Sequence, residues 1–235
     1  MTQTEAVSAR PGVLTPAVVT LDVRNRTMKN FNYLVVDPAT RQAVIVDPAW
    51  EMDKIDRAVA DAGATVRGIL VTHSHPDHIH LANPLAVKYD CPIFMSRAEI
   101  DASRFTAKNL VGIDTRTIHV GQMQVEPLAT PGHTPGSTCY LIAGNLFTGD
   151  VLFAEGCGMC PDTEAAHAMY ASLERLKTLE PRTRVFPGHS YGQPPGRPML
   201  QVRRENIYLQ FRDKESFATF RLRSGQGKAD MVSFS

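Results

Sequence analysis

No run of apolar residues in this chain approaches the roughly 20 positions that a membrane-spanning helix needs. The opening residues, MTQTEAVSARPG, lack the apolar stretch of a secretion signal and read as a flexible tail over residues 1–12. Cysteine is scarce, with four in 235 residues. That is too few for a disulfide framework, and a cytoplasmic, reducing compartment is expected. An excess of one charge is lacking too: 25 Lys and Arg face 24 Asp and Glu. This removes the electrostatic reason to expect nucleic acid or an anionic membrane as partner. No short repeat and no low-complexity tract is present.

Apolar residues make up 43% of the chain, enough for one sizeable core or two modest ones. Ala17–Val23, Tyr33–Val36 and Ala43–Val46 read as strands, the last two joined by the turn-forming Asp37-Pro38-Ala39-Thr40. Glu51–Ala62 is helical, with Ile55, Val59 and Ala62 on one face and Gly63 as its stop. Further strands are expected at Gly68–Thr72 and Ile93–Ser96, with helices near Leu81–Tyr89 and from Arg97. A second strand series follows at Arg116–Val120, Gln122–Ala129, Ser137–Ala143 and Leu146–Thr148. Asp162 then caps a helix whose Ala166, Met169, Tyr170, Leu173 and Leu176 share one face, and Thr183–Phe186 is one more strand. Two β-rich halves, each with helices, are satisfied by two stacked sheets with helices on both outer faces. Gly and Pro crowd 190–197, so one domain is expected over 13–195 and a C-terminal appendage over 196–235.

The chemistry concentrates in Thr72-His73-Ser74-His75-Pro76-Asp77-His78. His73 and His75 are two apart in extended chain, so their rings point the same way. Pro76 bends the chain and can bring Asp77 and His78 to a second point, giving two ligands to each of two metals. A stray polar loop is a poor account of four metal-capable side chains within six residues. His133 lies in the tight Thr130-Pro131-Gly132-His133-Thr134-Pro135-Gly136 loop. Asp150 and His189 each close an apolar strand, where α/β sites commonly lie.

His73-x-His75-x-Asp77-His78, followed by His133, Asp150 and His189, resembles the complete signature of the metallo-β-lactamase superfamily over about Phe31 to Tyr191. That resemblance implies an αββα sandwich of α/β class. It places His73, His75 and His133 on one divalent ion, Asp77, His78 and His189 on the other, and Asp150 between them. Gly149-Asp150-Val151-Leu152-Phe153 before Gly156-Cys157-Gly158 is similar to the glyoxalase II branch. That branch continues with a basic and an aromatic residue that seat glutathione, where this chain has Met159 and Cys160. Ala154–Cys160 and the short tail containing Glu205–Gln210 are closer to the acyl hydrolases encoded with trans-acyltransferase polyketide synthases.

Two such cations, zinc on frequency with iron or manganese also fitting the donor set, would share a metal-bound hydroxide. A thioester suits this chemistry because a thiolate leaves without a general acid. The expected activity is thioester hydrolysis on an acyl carrier protein or a small thiol. Asp77 is placed as a proton acceptor, Tyr191 as an oxyanion donor, and Cys157, Met159, Cys160 and Tyr191 as substrate contacts. The CxxC at Cys157–Cys160 has no second pair to complete a tetrahedral site. His80, two residues past the motif, reads as a capping or surface residue that could also orient substrate or a ligand. His119 and His167 read as structural, and Arg203 and Arg204 as a solvated helix face that could also meet a carrier's acidic surface. Other readings are a hydroxyacylglutathione hydrolase, a mononuclear iron persulfide dioxygenase, and a metal-binding module without catalysis.

Overall fold

The structure, a computed structural model, describes residues 15–26 and 28–224. Alternating apolar residues give each strand two faces, and both faces are used. The first sheet holds β1 (Ala17–Asn25), β2 (Met28–Val36), β3 (Gln42–Val46), β4 (Thr65–Leu70), β5 (Ile93–Ser96) and β6 (Leu110–Ile113), side by side in chain order. The second holds β7 (Ile118–Val120), β8 (Met123–Ala129), β9 (Thr138–Ile142), β10 (Asn145–Gly149), β11 (Arg184–Pro187) and β12 (Arg197–Pro198), again in chain order.

The sheets pack face to face. Tyr33, Val35, Val44, Val46 and Leu70 of the first meet Val125, Tyr140, Ile142, Phe147 and Phe186 of the second in one buried layer. Tyr33, Phe147 and Phe186 form its aromatic centre, with ring centroids 5.2–5.4 Å apart. The alternate residues Leu34, Val36, Ala43, Ile45 and Ile69 point the other way. They pack beneath α1 (Met52–Asp61) and α3 (Ala82–Tyr89), which follow β3 and β4 in the chain. On the far side, Leu146 and Val185 join Ala166, Met169 and Leu173 of α5 (Thr163–Leu176). The result is an αββα sandwich.

Most expected elements are found within two or three residues of their forecast ends, and Asp162 accepts from Ala165 N as the α5 cap. β4 starts and stops earlier than expected, and Val71 and the bend at Thr72 lead from it into the histidine-rich loop. β6 (Leu-Val-Gly-Ile) gave no strand signal, being short, glycine-containing and half-exposed at the sheet edge. The short helices α2 (Pro76–Ile79) and α4 (Arg97–Ser103) flank the histidine-rich loop. Beyond 196, β12 pairs with β11, and α6 (Met199–Glu205) and α7 (Lys214–Arg221) add Met199, Val202 and Phe217 to the outer core of the second sheet. Residues 1–12, expected as a tail, lie outside the described residues.

Candidate metal centre

β4 delivers His73 to the end of the first sheet. His75 is still extended (φ −65°, ψ 143°), so its ring faces the same point as that of His73. Pro76 then starts α2 at the first helical position, where its fixed φ suits a helix and its missing N–H is not needed. One helical turn swings Asp77 and His78 to a second point. The second sheet supplies His133 from the loop after β8, Asp150 directly after β10, and His189 just beyond β11.

These seven side chains converge. His75 Nδ1 lies 3.0 Å from both His73 Nε2 and His133 Nε2. Asp77 Oδ2 is 3.3 Å from His189 Nε2 and 3.8 Å from His78 Nε2. Asp150 sits between the groups: its Oδ2 is 3.6 Å from His133 Nε2, and its Oδ1 is 3.3 Å from His78 Nε2 and 3.5 Å from His189 Nε2. Each triad, His73/His75/His133 and Asp77/His78/His189, gathers its ligand atoms within 4.8 Å of one another.

Outward hydrogen bonds fix the ring tautomers. His78 Nδ1 donates to Asp47 Oδ2 at 2.9 Å, His133 Nδ1 to the Met159 carbonyl at 2.8 Å, and His189 Nδ1 to the Lys29 carbonyl at 2.7 Å. Thr72 Oγ1 donates to Asp47 Oδ2 and is left to accept from His73 Nδ1 at 3.0 Å. The Nε2 atoms of these four rings therefore face inward, those of His78, His133 and His189 toward carboxylate oxygens, and in the neutral ring each offers a lone pair. His78 Nε2 and Asp150 Oδ1 are buried with no hydrogen-bond partner. Such a set of converging acceptors is satisfied by cations. Gly188 keeps the space open, since a Cβ there would stand 2.5 Å from His78 Cε1 and 2.7 Å from Asp150 Oδ1.

Protonation follows the same division. Burial, with His78 nearby, pulls His73 well below the usual imidazole range, and burial and His133 lower His75. Burial opposes charge on His78 and His189 too, but Asp150 overrides it and raises both. Burial would likewise raise Asp150 and Asp77, yet the facing histidines hold both carboxyls far below their ordinary values. The site draws in positive charge, so protons and metal ions compete for it.

Several supporting residues escaped the sequence reading. Asp47 also accepts from Thr72 N at 2.8 Å and takes a left-handed φ of +49°. It closes the apolar run Ala43–Val46 just as Asp150 and His189 close theirs, which is the signal that could have found it. Asn30 donates to Asp77 Oδ2 at 3.2 Å and accepts from Trp50 Nε1 at 3.0 Å, and Trp50 packs on His80 with centroids 4.9 Å apart.

At the rim, Phe153 lies between His189 and Tyr191, at 6.2 and 5.4 Å between centroids. Met159 is half-buried, whereas Cys157 and Cys160 are buried in the core shared with Tyr208 and Phe217. Burial pushes the Cys160 thiol up to about 11 and Cys157 higher still, so both stay protonated at neutral pH. Arg203 donates to the Leu179 carbonyl and Arg204 is exposed. The cation that reaches back toward this loop is Arg221 of α7, buried, bonded to the Tyr208 hydroxyl at 2.8 Å and lowering Cys157, Cys160 and Tyr191 by its charge.

The fold and this pair of ligand triads define a metal-dependent hydrolase class, and the sequence pattern of the metallo-beta-lactamase superfamily matches residues 29–189. The chain belongs to that superfamily. It is 39% identical to the probable polyketide biosynthesis zinc-dependent hydrolase PksB of Bacillus subtilis, over 91% of this chain and 96% of that protein. It is 43% identical to the similarly described BaeB of Bacillus velezensis, over 84% of this chain and 89% of that one. A hydroxyacylglutathione hydrolase of Thermosynechococcus vestitus is 34% identical over 89% and 81%. A metallo-beta-lactamase crystal structure from Staphylococcus aureus shares the fold, with a TM-score of 0.82 at 23% identity, over 93% of this chain and 70% of that one. The protein is a metal-dependent hydrolase with zinc-dependent relatives.

Proposed function

We propose that the protein is a binuclear thioester hydrolase that releases acyl groups from an acyl carrier protein. The observation that carries this reading is Asp150, which turns one oxygen toward each ligand triad. His73, His75 and His133 would hold one cation and Asp77, His78 and His189 the other, with zinc favoured by the relatives' names. When bound, such a pair supplies a nucleophilic oxygen at neutral pH and polarises an acyl carbonyl.

The chain's own groups do the rest. Asp77, kept ionised by His189 and His78, is the proton acceptor beside the nucleophile. Burial, with Asp150 and Glu155, raises the Tyr191 phenol well above its usual value. Its hydroxyl therefore keeps the proton it would donate to a developing oxyanion. Met159, half-buried and bonded through its carbonyl to His133, would meet the acyl-bearing arm. A thiol with a pKa near 8.5 leaves as thiolate without a dedicated acid, which suits a rim with no general acid identified among the described residues. Polyketide intermediates are acyl thioesters, and this is the sense in which the names of PksB and BaeB support the substrate class.

Glutathione is the competing carrier. Its two carboxylates call for cations, and the loop from Gly156 to Cys160 carries none. The test compares kcat/KM for one acyl group on acyl carrier protein, coenzyme A and glutathione under equal metal loading. The carrier-protein thioester should exceed the glutathione thioester by at least about tenfold, or 1.4 kcal/mol. A better rate on S-lactoylglutathione overturns the reading and makes Arg221 the first residue to change.

A further inference from the structure

Ser96-Arg97-Ala98-Glu99 reads as a capping box, in which Glu99 would turn back to the Ser96 N–H. Only half of the box forms. Ser96 Oγ accepts from Glu99 N at 3.1 Å, but the Glu99 side chain leaves the helix. Its Oε1 accepts from Ser74 N at 2.7 Å and Ser74 Oγ at 2.6 Å. Its Oε2 accepts from Thr134 Oγ1 at 2.7 Å and Gly136 N at 3.1 Å. Glu99 is 1% exposed, and among the described residues no cation pairs with it.

Ser74 stands between His73 and His75, and Thr134 follows His133. One carboxylate thus ties together the two loops, one from each sheet, that carry the three-histidine triad. The approach is close: a Cβ on Gly136 would collide with the Glu99 backbone nitrogen. Ser96 Oγ adds a bond to the Gly136 carbonyl at 2.6 Å, fixing the His133 loop to the same helix end. Among the described residues no carboxylate bridges the loops of the other triad in this way: Asn30 and Asp47 serve Asp77 and His78, and backbone groups of β2 hold the His189 loop.

We propose that Glu99 is a positioning residue that sets the metal affinity of the His73/His75/His133 triad, selectively over the Asp77/His78/His189 triad. This rests on the metal sites of the proposed function. A buried carboxylate that orients ligands from behind typically contributes 10–100-fold to metal affinity. Glu99→Gln nearly keeps the shape, yet whichever way the amide turns, its NH2 faces a backbone N–H, of Ser74 or of Gly136. Neither can become an acceptor, so one of the two loops always loses its backbone bond and keeps at most a hydroxyl contact.

The experiment titrates metal-free full-length protein with Co2+ and with Zn2+ against a competing chelator, and follows unfolding temperature in parallel. Wild type should take two ions. In Glu99→Gln the ion assigned to the three-histidine triad, identified by the Co2+ spectrum that a His133→Ala control loses, should weaken at least about tenfold. The second ion should change by less than about threefold. Equal weakening of both ions, or an unfolding temperature that falls while both affinities hold, overturns the proposal and leaves Glu99 a general structural tie. Failure of wild type itself to bind at the three-histidine triad instead removes the metal-site reading, so the two failures are separable. Glu99→Asp, too short to span both loops, should repeat the Gln result if reach is what matters.

Discussion

Asp150 divides its two oxygens between two triads, and substitution there separates charge from shape. Asp150→Asn keeps the outline but removes the negative charge and replaces one accepting oxygen by an NH2 that offers no lone pair to a cation. Thioester hydrolysis should fall by at least about 100-fold in a folded, metal-loaded variant, measured as kcat/KM. The companion change His189→Ala strips one ligand from the second triad only. Elemental analysis should then give close to one metal per chain, against close to two in wild type. A wild-type chain that takes one ion, with no second on titration, removes the binuclear assignment. The seven candidate ligands were legible because each is a metal-capable side chain at a strand end or in a tight Pro/Gly loop. Glu99 and Asn30 were not, since a buried hydrogen-bonding residue far from the motif shows no periodicity and no spacing.

Among the elements, α7 tests how far the C-terminal segment belongs to the domain. Phe217 is fully buried, with ring centroids of Tyr170, Tyr208 and Phe211 between 5.6 and 5.9 Å away. Phe217→Ala should cost about 3–5 kcal/mol in chemical denaturation, the usual range for a core aromatic. A loosely attached appendage would lose under about 0.5 kcal/mol. β3, β8 and the Tyr33–Val36 end of β2 were readable because their faces are apolar or clearly divided, whereas the more polar start of β2 from Met28 was not. β6 and β12 were not, because four and two residues at a sheet edge carry too little pattern. The segment beyond 196 was hard to read for another reason. Its apolar residues Met199, Val202, Leu209 and Phe217 share a core with Ala166, Met169 and Leu173 of α5, more than 20 residues earlier in sequence.

For the molecule as a whole, cations that bind only the folded chain raise its stability by mass action. At a free metal concentration about 1,000 times Kd the gain is about 4 kcal/mol, and for a chain of this size each kcal/mol moves Tm by about 2–4 °C. Stripping the metal with a chelator should therefore lower Tm by about 10 °C, reversibly on adding zinc. An unchanged Tm in verified metal-free protein excludes tight binding at the triads. The way the ligands are shared out has a consequence for biogenesis. His73, His75, Asp77 and His78 precede the exposed crossing between β6 and β7, while His133, Asp150 and His189 follow it. Neither sheet can complete a triad without the other. As the chain leaves the ribosome, the three-histidine set is finished once His133 has been made, and its partner waits another 56 residues for His189. The residues of the three-histidine set are thus all synthesised before the last residue of the other, and occupation of both triads would require that both halves have been made and have met.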